Sequence, residues 1–345
     1  MTAHDVAYIE IHTGDLERTT DYFVSAFGFR EQARSRGGGL DSALLRQGGI
    51  RLVIGSGPAA DAFLAVHGDG VVDIAFACDD VAAARADALA AGGREVTAGD
   101  PATPAVSGGF GAVRHTLLPR AAAGGPAALP PGRTWVPSRD CAGPSHGAPA
   151  LNLLDHIAVC LPAGTLHDAV RYYTDGFGFE RYYSEYVAVG EQAMDSIVVR
   201  SPSAGITFTM IEPDISKQPG QIDEFLTRNG GGGVQHLAFL VDEIVPAVLE
   251  FEARGVTFLQ TPGTYYDALA DRIPHLDTAI ADLRKANVLA DQDEWGHLLQ
   301  LFTRSPFAQR TLFFELIQRH GAQGFGSSNI RALYEAVERT RTVTA

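Results

Sequence analysis

Gly230-Gly231-Gly232-Gly233-Val234-Gln235-His236-Leu237-Ala238-Phe239 joins four glycines to a short apolar run that one imidazole interrupts. Glycine is costly to order and is kept where the chain must turn tightly or approach a neighbour closely. Val234, Leu237, Phe239 and Val241 read as a buried strand, too short for a helix. His236 is therefore expected to point from a strand into the protein. Taken alone, such a histidine is ordinarily a core group bonded to a carbonyl. Two other stretches repeat the situation: His156 in Leu154-Asp155-His156-Ile157-Ala158-Val159, and Glu315 in Thr311-Leu312-Phe313-Phe314-Glu315-Leu316-Ile317. The three polar residues are spaced by 80 and 79 positions. Two histidines and one carboxylate on three buried strands make the ligand set of a mononuclear non-haem Fe(II) site.

Working outward, the chain reads as a repeat. Val6 to Ile11 alternates as a strand, and Asp15-Leu16-Glu17-Arg18 opens a helix that Gly28 ends. Strands are expected at Ser42–Leu45, Ile50–Ile54, Val71–Ala77 and Val113–Leu118, with an alanine-rich helix over Asp79–Ala91. The order is roughly β-α-β-β-β, run twice. The second half echoes it: Tyr172 to Phe179 resembles Tyr22 to Phe29, Gly233 to Phe239 resembles Gly70 to Phe76, and Phe314 to Arg319 resembles His115 to Arg120. Such self-similarity means duplicated units packed together. The stretch 121–150 is rich in Ala, Gly and Pro without periodicity and is expected to connect them. The repeat also supplies a control. Where the second half has His156, His236 and Glu315, the first has Tyr8, Asp73 and Thr116. Packing does not demand the three polar residues, so they point to a metal site in the second half alone.

The totals narrow the function. The 345 residues, 46% hydrophobic and 20% charged, suit a globular chain of two domains, and the formal charge of −14 argues against nucleic-acid or anionic-membrane partners. Three cysteines without paired spacing fit a reduced compartment, and no apolar run is long enough for a membrane span. Asp5, Glu10 and Asp15 stand where a signal peptide would be basic and then apolar, so a cytoplasmic location is expected. No GxGxxG or GxxxxGK[ST] motif is found, and no GxSxG elbow between a strand and a helix is read. His12, His67, His167, His275, His297 and His320 lie in polar or turn-like surroundings and are expected at the surface or in local hydrogen bonds. Pro219 to Glu224 reads as the first turn of a helix, with its acidic residues solvated.

Leu154-Asp155-His156, Ile211-Glu212-Pro213, Gly220 to Phe225, Gly233-Val234-Gln235-His236, Leu298 to Thr303, Phe313 to Arg319 and Gly324 to Ile330 together closely resemble the 4-hydroxyphenylpyruvate dioxygenase family, of the vicinal-oxygen-chelate fold. The resemblance covers essentially the whole chain. It implies an α+β protein of two vicinal-oxygen-chelate domains, each of repeated β-α-β-β-β units forming a curled, half-open mixed sheet, with a C-terminal lid helix. Residues 1–120 would be a domain without metal ligands, 121–150 a linker, and 151–345 the catalytic Fe(II) domain. The helix would run from Ser327 to about Arg339, with Ile330, Leu333, Tyr334 and Val337 on one face.

The family holds two activities on 4-hydroxyphenylpyruvate and O2, one giving homogentisate and one giving (S)-4-hydroxymandelate, a precursor route to peptide antibiotics. Two departures match the second pattern: Ile330 where the first has phenylalanine after asparagine, and Thr209-Met210-Ile211-Glu212-Pro213 where it has Pro-x-Asn-Glu-Pro. By resemblance, His156, His236 and Glu315 would bind Fe(II). Ser196, Thr209, Gln221, Gln300 and Asn329 would contact substrate, Phe302, Phe313, Phe325 and Ile330 would wall its ring, and Gln235 and Ile211 would stand behind. Strand alternation turns Gln235 away from the side His236 faces. The homogentisate-forming dioxygenase is the runner-up reading, and an extradiol catechol dioxygenase and a metal-free binding protein are the more distant rivals. A homodimer is compatible with the sequence, which does not fix the oligomeric state.

Overall fold

The computed structural model describes residues 3–97, 102–121, 129–138 and 151–331. In the first half, strand β1 (Ala3–His12) leads to helix α1 (Leu16–Asp21), strands β2 (Arg30–Ser35), β3 (Asp41–Gln47) and β4 (Ile50–Ser56), and helix α2 (Asp61–His67). Then come β5 (Gly70–Cys78), α3 (Val81–Ala90), β6 (Arg94–Thr97), β7 (Pro104–Ser107), β8 (Arg114–Pro119) and the short β9 (Val136–Pro137). The second half runs β10 (Leu153–Cys160), α4 (Leu166–Phe177), β11 (Glu180–Val189), β12 (Gln192–Arg200), β13 (Thr207–Pro213), α5 (Gln221–Arg228), β14 (Gly233–Leu240) and α6 (Ile244–Ala253). Three short helices follow, α7 (Gly263–Asp267), α8 (Leu269–Arg272) and α9 (Ile280–Lys285), and then β15 (Leu289–Gln292), β16 (His297–Phe302) and β17 (Phe313–His320).

Local chemistry explains the ends of these elements. The Asp15 carboxylate accepts from Arg18 N at 3.0 Å, and that of Asp80 accepts from Ala83 N at 2.9 Å, so each satisfies a free amide of a first helical turn. The helix expected from Asp79 therefore begins at Val81. Gly28 and Gly178 hold φ of 77° and 68° at the matching Phe-Gly-Phe corners, a conformation that favours glycine. Asp223 accepts from Gly220 N at 2.7 Å and fixes the start of α5, as the sequence implies.

Each half curls into one mixed sheet, in the order β6-β7-β8-β5-β1-β4-β3-β2-β9 and β11-β12-β13-β10-β14-β17-β16-β15. The repeat is visible in the register. Central strands β1/β5 and β10/β14 pair antiparallel, while β5/β8 and β14/β17 pair parallel. Strands β2, β6, β7 and β9 and helices α2 and α7 to α9 were not legible in the sequence. Part of the stretch expected to be a plain connector is built into the first sheet, where Ala33 and Arg34 of β2 pair with Pro137 and Val136.

The outer faces of the two sheets share one core. Tyr22, Phe23 and Phe27 of the first half pack on Phe239, Phe251 and Phe314 of the second, with Phe23–Phe314 centroids 5.3 Å apart. In return, Tyr173 and Phe177 of α4 pack on Phe76 and His115 of the first sheet. Each fully buried phenylalanine contributes roughly 1.5–3 kcal/mol, so this exchange of helices ties the halves together strongly. It leaves the inner, concave face of each sheet outside this shared core.

Candidate metal centre

Three neighbouring strands bring the three polar residues together. Ala158 of β10 stands opposite His236 of β14, and His156 opposite Ala238; Ala238 is opposite Glu315 of β17. Alternation then turns His156, His236 and Glu315 to the same concave face. All three are buried. One Glu315 oxygen, Oε2, lies 3.2 Å from Nε2 of His156 and 3.2 Å from Nε2 of His236. Roughly 3 Å is the separation of adjacent N and O ligands bound at about 2.1 Å to one first-row metal ion. The other oxygen, Oε1, is buried without a hydrogen-bond partner among the described residues. An unmet buried carboxylate oxygen is costly, and a cation there would meet it. The group thus fits a divalent metal held on one side, with the remaining positions open to small ligands.

The tautomers suit this. The His156 Nδ1 lies 2.8 Å from the Asp155 carboxylate, and the His236 Nδ1 lies 3.2 Å from the Gln235 Oε1. Both partners are acceptors, so each ring keeps its Nδ1 proton and turns Nε2 to the centre. Burial disfavours charge on either ring. For His156 the facing Glu315 and Asp155 carboxylates outweigh burial and push its pKa up to about 9, whereas burial wins at His236 and lowers it. Burial opposes the Glu315 charge as well, but His156 beside it holds that carboxyl below its ordinary value. Asp155 is itself gripped by Arg319, with Nε and Nη2 donating to its two oxygens at 2.7 Å each.

The expected wall residues surround this group. Phe313 stacks on His236 at 5.0 Å between centroids, Phe302 meets the same ring edge-on at 5.7 Å, and Phe325 meets His156 edge-on at 5.1 Å. Thr209, Ile211 and Ser196 share the inner face, since Ala158 is opposite Thr209 and Ile211 is opposite Ser196. Gln300 is on that face too, opposite Ile317. Thr209 Oγ1, Gln300 Oε1 and Asn329 Nδ2 are buried with no hydrogen-bond partner among the described residues. Unspent donors and acceptors of this kind suit a polar ligand. Gln221 is exposed at the start of α5, at the rim of a small cleft it shares with Ile330 and Met194. Ile330 and Ile211 pack on one apolar cluster with Val187, Met194, Ile222 and Phe225. Residues 327–331 are helical; Leu333, Tyr334 and Val337 lie outside the described residues.

Several participants escaped the sequence reading. Asp155 and Arg319 sit within recognised stretches, and their adjacency to His156 and their i+4 parity with Glu315 were available signals. Tyr265 and Arg272 had none: they come from the helical excursion α7–α8. The Tyr265 hydroxyl donates to Asn329 Oδ1 at 2.7 Å, with Arg272 Nη2 at 3.4 Å, which aims the Asn329 amide nitrogen elsewhere. Gln235 also departs from simple alternation, because its long side chain reaches round to the neighbouring ring. Of the histidines expected at the surface or in local hydrogen bonds, His12 is buried but makes a local contact of this kind, 3.2 Å from Glu10. His297 is buried instead, with Asp277 3.9 Å away, and its polar sequence neighbours hid that packing.

Comparison with known proteins defines the class first. Residues 153–301 and 8–110 match two models of the Glyoxalase/Bleomycin resistance protein/Dioxygenase superfamily, one in each half. A solved mutant of 4-hydroxymandelate synthase from Streptomyces coelicolor is similar at 45% identity and a TM-score of 0.86, covering 99% of this chain and 100% of that one. The 4-hydroxyphenylpyruvate dioxygenase of Yarrowia lipolytica is 30% identical over 96% of this chain and 91% of its own. A probable 4-hydroxyphenylpyruvate dioxygenase 2 of Aspergillus fumigatus is 37% identical over 79% and 71%. The chain belongs to the 4-hydroxyphenylpyruvate dioxygenase family, with the curled two-domain vicinal-oxygen-chelate fold. Cys78 and Cys160 are free and buried, and no helix among the described residues is long and apolar enough to cross a membrane.

Proposed function

We propose that this protein is a 4-hydroxymandelate synthase, converting 4-hydroxyphenylpyruvate and O2 to (S)-4-hydroxymandelate and CO2 with Fe(II) held by His156, His236 and Glu315. The observation that carries the choice of product is that Ile330 packs on one apolar cluster with Ile211, which shares the inner face of the triad. The greater likeness to the synthase structure, 45% against 30% and 37% for the two dioxygenases, supports it. The reaction balances without an outside reductant: the 2-oxo acid loses CO2, and the two oxygen atoms end in the new carboxylate and the benzylic hydroxyl.

A ferrous ion at the triad supplies the redox chemistry that couples O2 to oxidation of the 2-oxo acid. The protein's part is position. Phe302, Phe313 and Phe325 give an apolar slot for an aromatic ring beside the two histidines. Gln300 Oε1 is an acceptor and Asn329 Nδ2 a donor, so together they can hold a phenolic hydroxyl without transferring a proton. The Gly326 turn, at φ 77°, packs so closely on the Gln300 amide that any side chain there would displace it. The helix beginning at Ser327 would close over the cup and exclude water. Isoleucine at 330 is stiff at χ1 and reaches less far than phenylalanine, leaving the ring room to shift so that the benzylic carbon is the nearest target.

Chromatography of the products after aerobic turnover with Fe(II) tests the reading. Mandelate as the main product, one CO2 per O2, and no need for 2-oxoglutarate are expected. Mainly homogentisate would replace it with the second reading, a 4-hydroxyphenylpyruvate dioxygenase, which the curated relatives favour.

A further inference from the structure

We propose that Asp277, His297 and His320 form a second divalent-metal site, of Zn(II) type, on the opposite face of β16 and β17 from the first. The parity of both strands separates the two. Gln300 and Phe302 of β16, and Glu315 and Arg319 of β17, turn to the concave side. His297 and His320 have the other parity and turn outward. One ligand atom from each of Asp277, His297 and His320 lies within 4.8 Å of the others.

Three observations point to a ligand rather than to packing alone. First, His297 is only 8% exposed, and its Nε2 has no hydrogen-bond partner among the described residues. The Asp277 Oδ2, 3.9 Å from that nitrogen, is too far to bond it. A buried imidazole nitrogen left unmet is costly, and a cation between the two groups removes that cost. Second, Gln318 Oε1 accepts from Ile244 N at 2.7 Å, so its amide NH2 faces His320 Nε2 at 2.8 Å. That nitrogen therefore carries a lone pair, as a metal ligand must. Third, two imidazoles and one carboxylate suit Zn(II) and its neighbours rather than Ca(II) or Mg(II), which prefer all-oxygen sets.

Binding asks for small movements. Ligands on a tetrahedral zinc stand roughly 3.3–3.5 Å apart, so Asp277 must approach His297 by about half an ångström. Asp277 is exposed, on the connector between α8 and α9, and is free to do so. The two rings, now stacked at 4.5 Å and 17°, must tilt so that the ion lies in both ring planes. His320 gives up its Gln318 contact, and water completes the shell. The ion would pin the excursion that carries Tyr265 and Arg272, the residues that hold Asn329.

The test is calorimetric titration of the metal-free full-length chain with Zn(II), with Co(II) absorption as a second readout. Wild type is expected to take up two ions, Asp277→Asn one and His236→Ala one. Asp277→Asn alters only an exposed side chain, so its fold is not at risk. His297→Ala should lose the same ion. If Asp277→Asn binds as many ions as wild type, the proposal is overturned, and any extra ion is adventitious. Because the count compares Asp277→Asn with wild type, it stands or fails independently of the first site and its reaction.

Discussion

The two halves place different chemistry at the same three points of one fold. Register puts Tyr8 on the first sheet where His156 is on the second, Asp73 where His236 is, and Thr116 where Glu315 is. In the first half this inner face is closed by its own side chains. Asp73 accepts from Thr116 N at 3.0 Å, Thr116 Oγ1 at 2.5 Å, Arg114 Nε at 3.0 Å and, more weakly, Tyr8 at 3.5 Å. Glu10 is paired with Arg133 and, at 3.4 Å, with Arg114. In the second half Glu315 keeps an oxygen, Gln300 an acceptor and Asn329 a donor with no partner among the described residues. The fold needs polar groups at these points to be satisfied; it does not need them to be ligands. One half satisfies them internally, and the other leaves them for a ligand.

The comparison makes its largest prediction at the triad. His236→Ala or Glu315→Ala should lower turnover at least ~1,000-fold, since metal-held geometry has no substitute. The fold should survive, with Tm moving only a few degrees, as circular dichroism would show. Oxygen-dependent turnover by iron-free His236→Ala would break the assignment. The matching change in the other half should do the reverse. Asp73→Ala leaves Arg114 with only its 3.4 Å contact to Glu10 and should cost about 3 kcal/mol in urea unfolding, with kcat per folded molecule nearly unchanged.

The network around Glu10 predicts an acid limb. Burial opposes its charge, but Arg133, the His12 contact and Arg114 outweigh burial and hold its pKa at about 2, against an ordinary 4.5. A depressed carboxyl stabilises the fold above its unfolded pKa, so this contribution is lost as pH falls from 4.5 through about 2. It is of the order of 3 kcal/mol. Glu10→Gln should flatten that limb in stability measured against pH; an unchanged slope would assign acid lability elsewhere.

A smaller effect is expected behind the triad. Asp155→Asn keeps the shape but weakens the grip of Arg319 and the orientation of His156, and should reduce metal affinity ~10–100-fold. Arg319 also lies over the Phe325 ring at 5.1 Å, so Arg319→Lys should loosen metal and ring wall together. Equilibrium dialysis against Fe(II) or Co(II) reads the first, and unchanged affinity would reduce Asp155 to a packing role. Smallest is the product ratio. About 1.4 kcal/mol separates a tenfold preference, so Ile330→Phe should divert part of the flux to ring-oxidised product by up to that factor. An unchanged ratio would leave the enzyme's name intact and remove Ile330 from its selectivity.

Much was readable from sequence because it depends on neighbours along the chain. Periodicity marked His156, His236 and Glu315 as polar breaks in apolar strands, and the Phe-Gly-Phe corners exposed the repeat. The absence of the three residues from the first half marked them as candidate ligands rather than packing groups without any coordinates. Strands such as β6 and β7 were not legible, because they are four residues each and exist by pairing with partners far away in sequence. Tertiary structure alone decided the rest. It alone shows the helices exchanged between halves, because apolar helix faces do not name the sheet they cover. It alone places Arg319 on Asp155, 164 residues apart, and brings Tyr265 to Asn329. Sequence determined which side chains could bind a metal; only folding decided which of their atoms would be left without partners, and that unmet bonding is what makes a cavity a site.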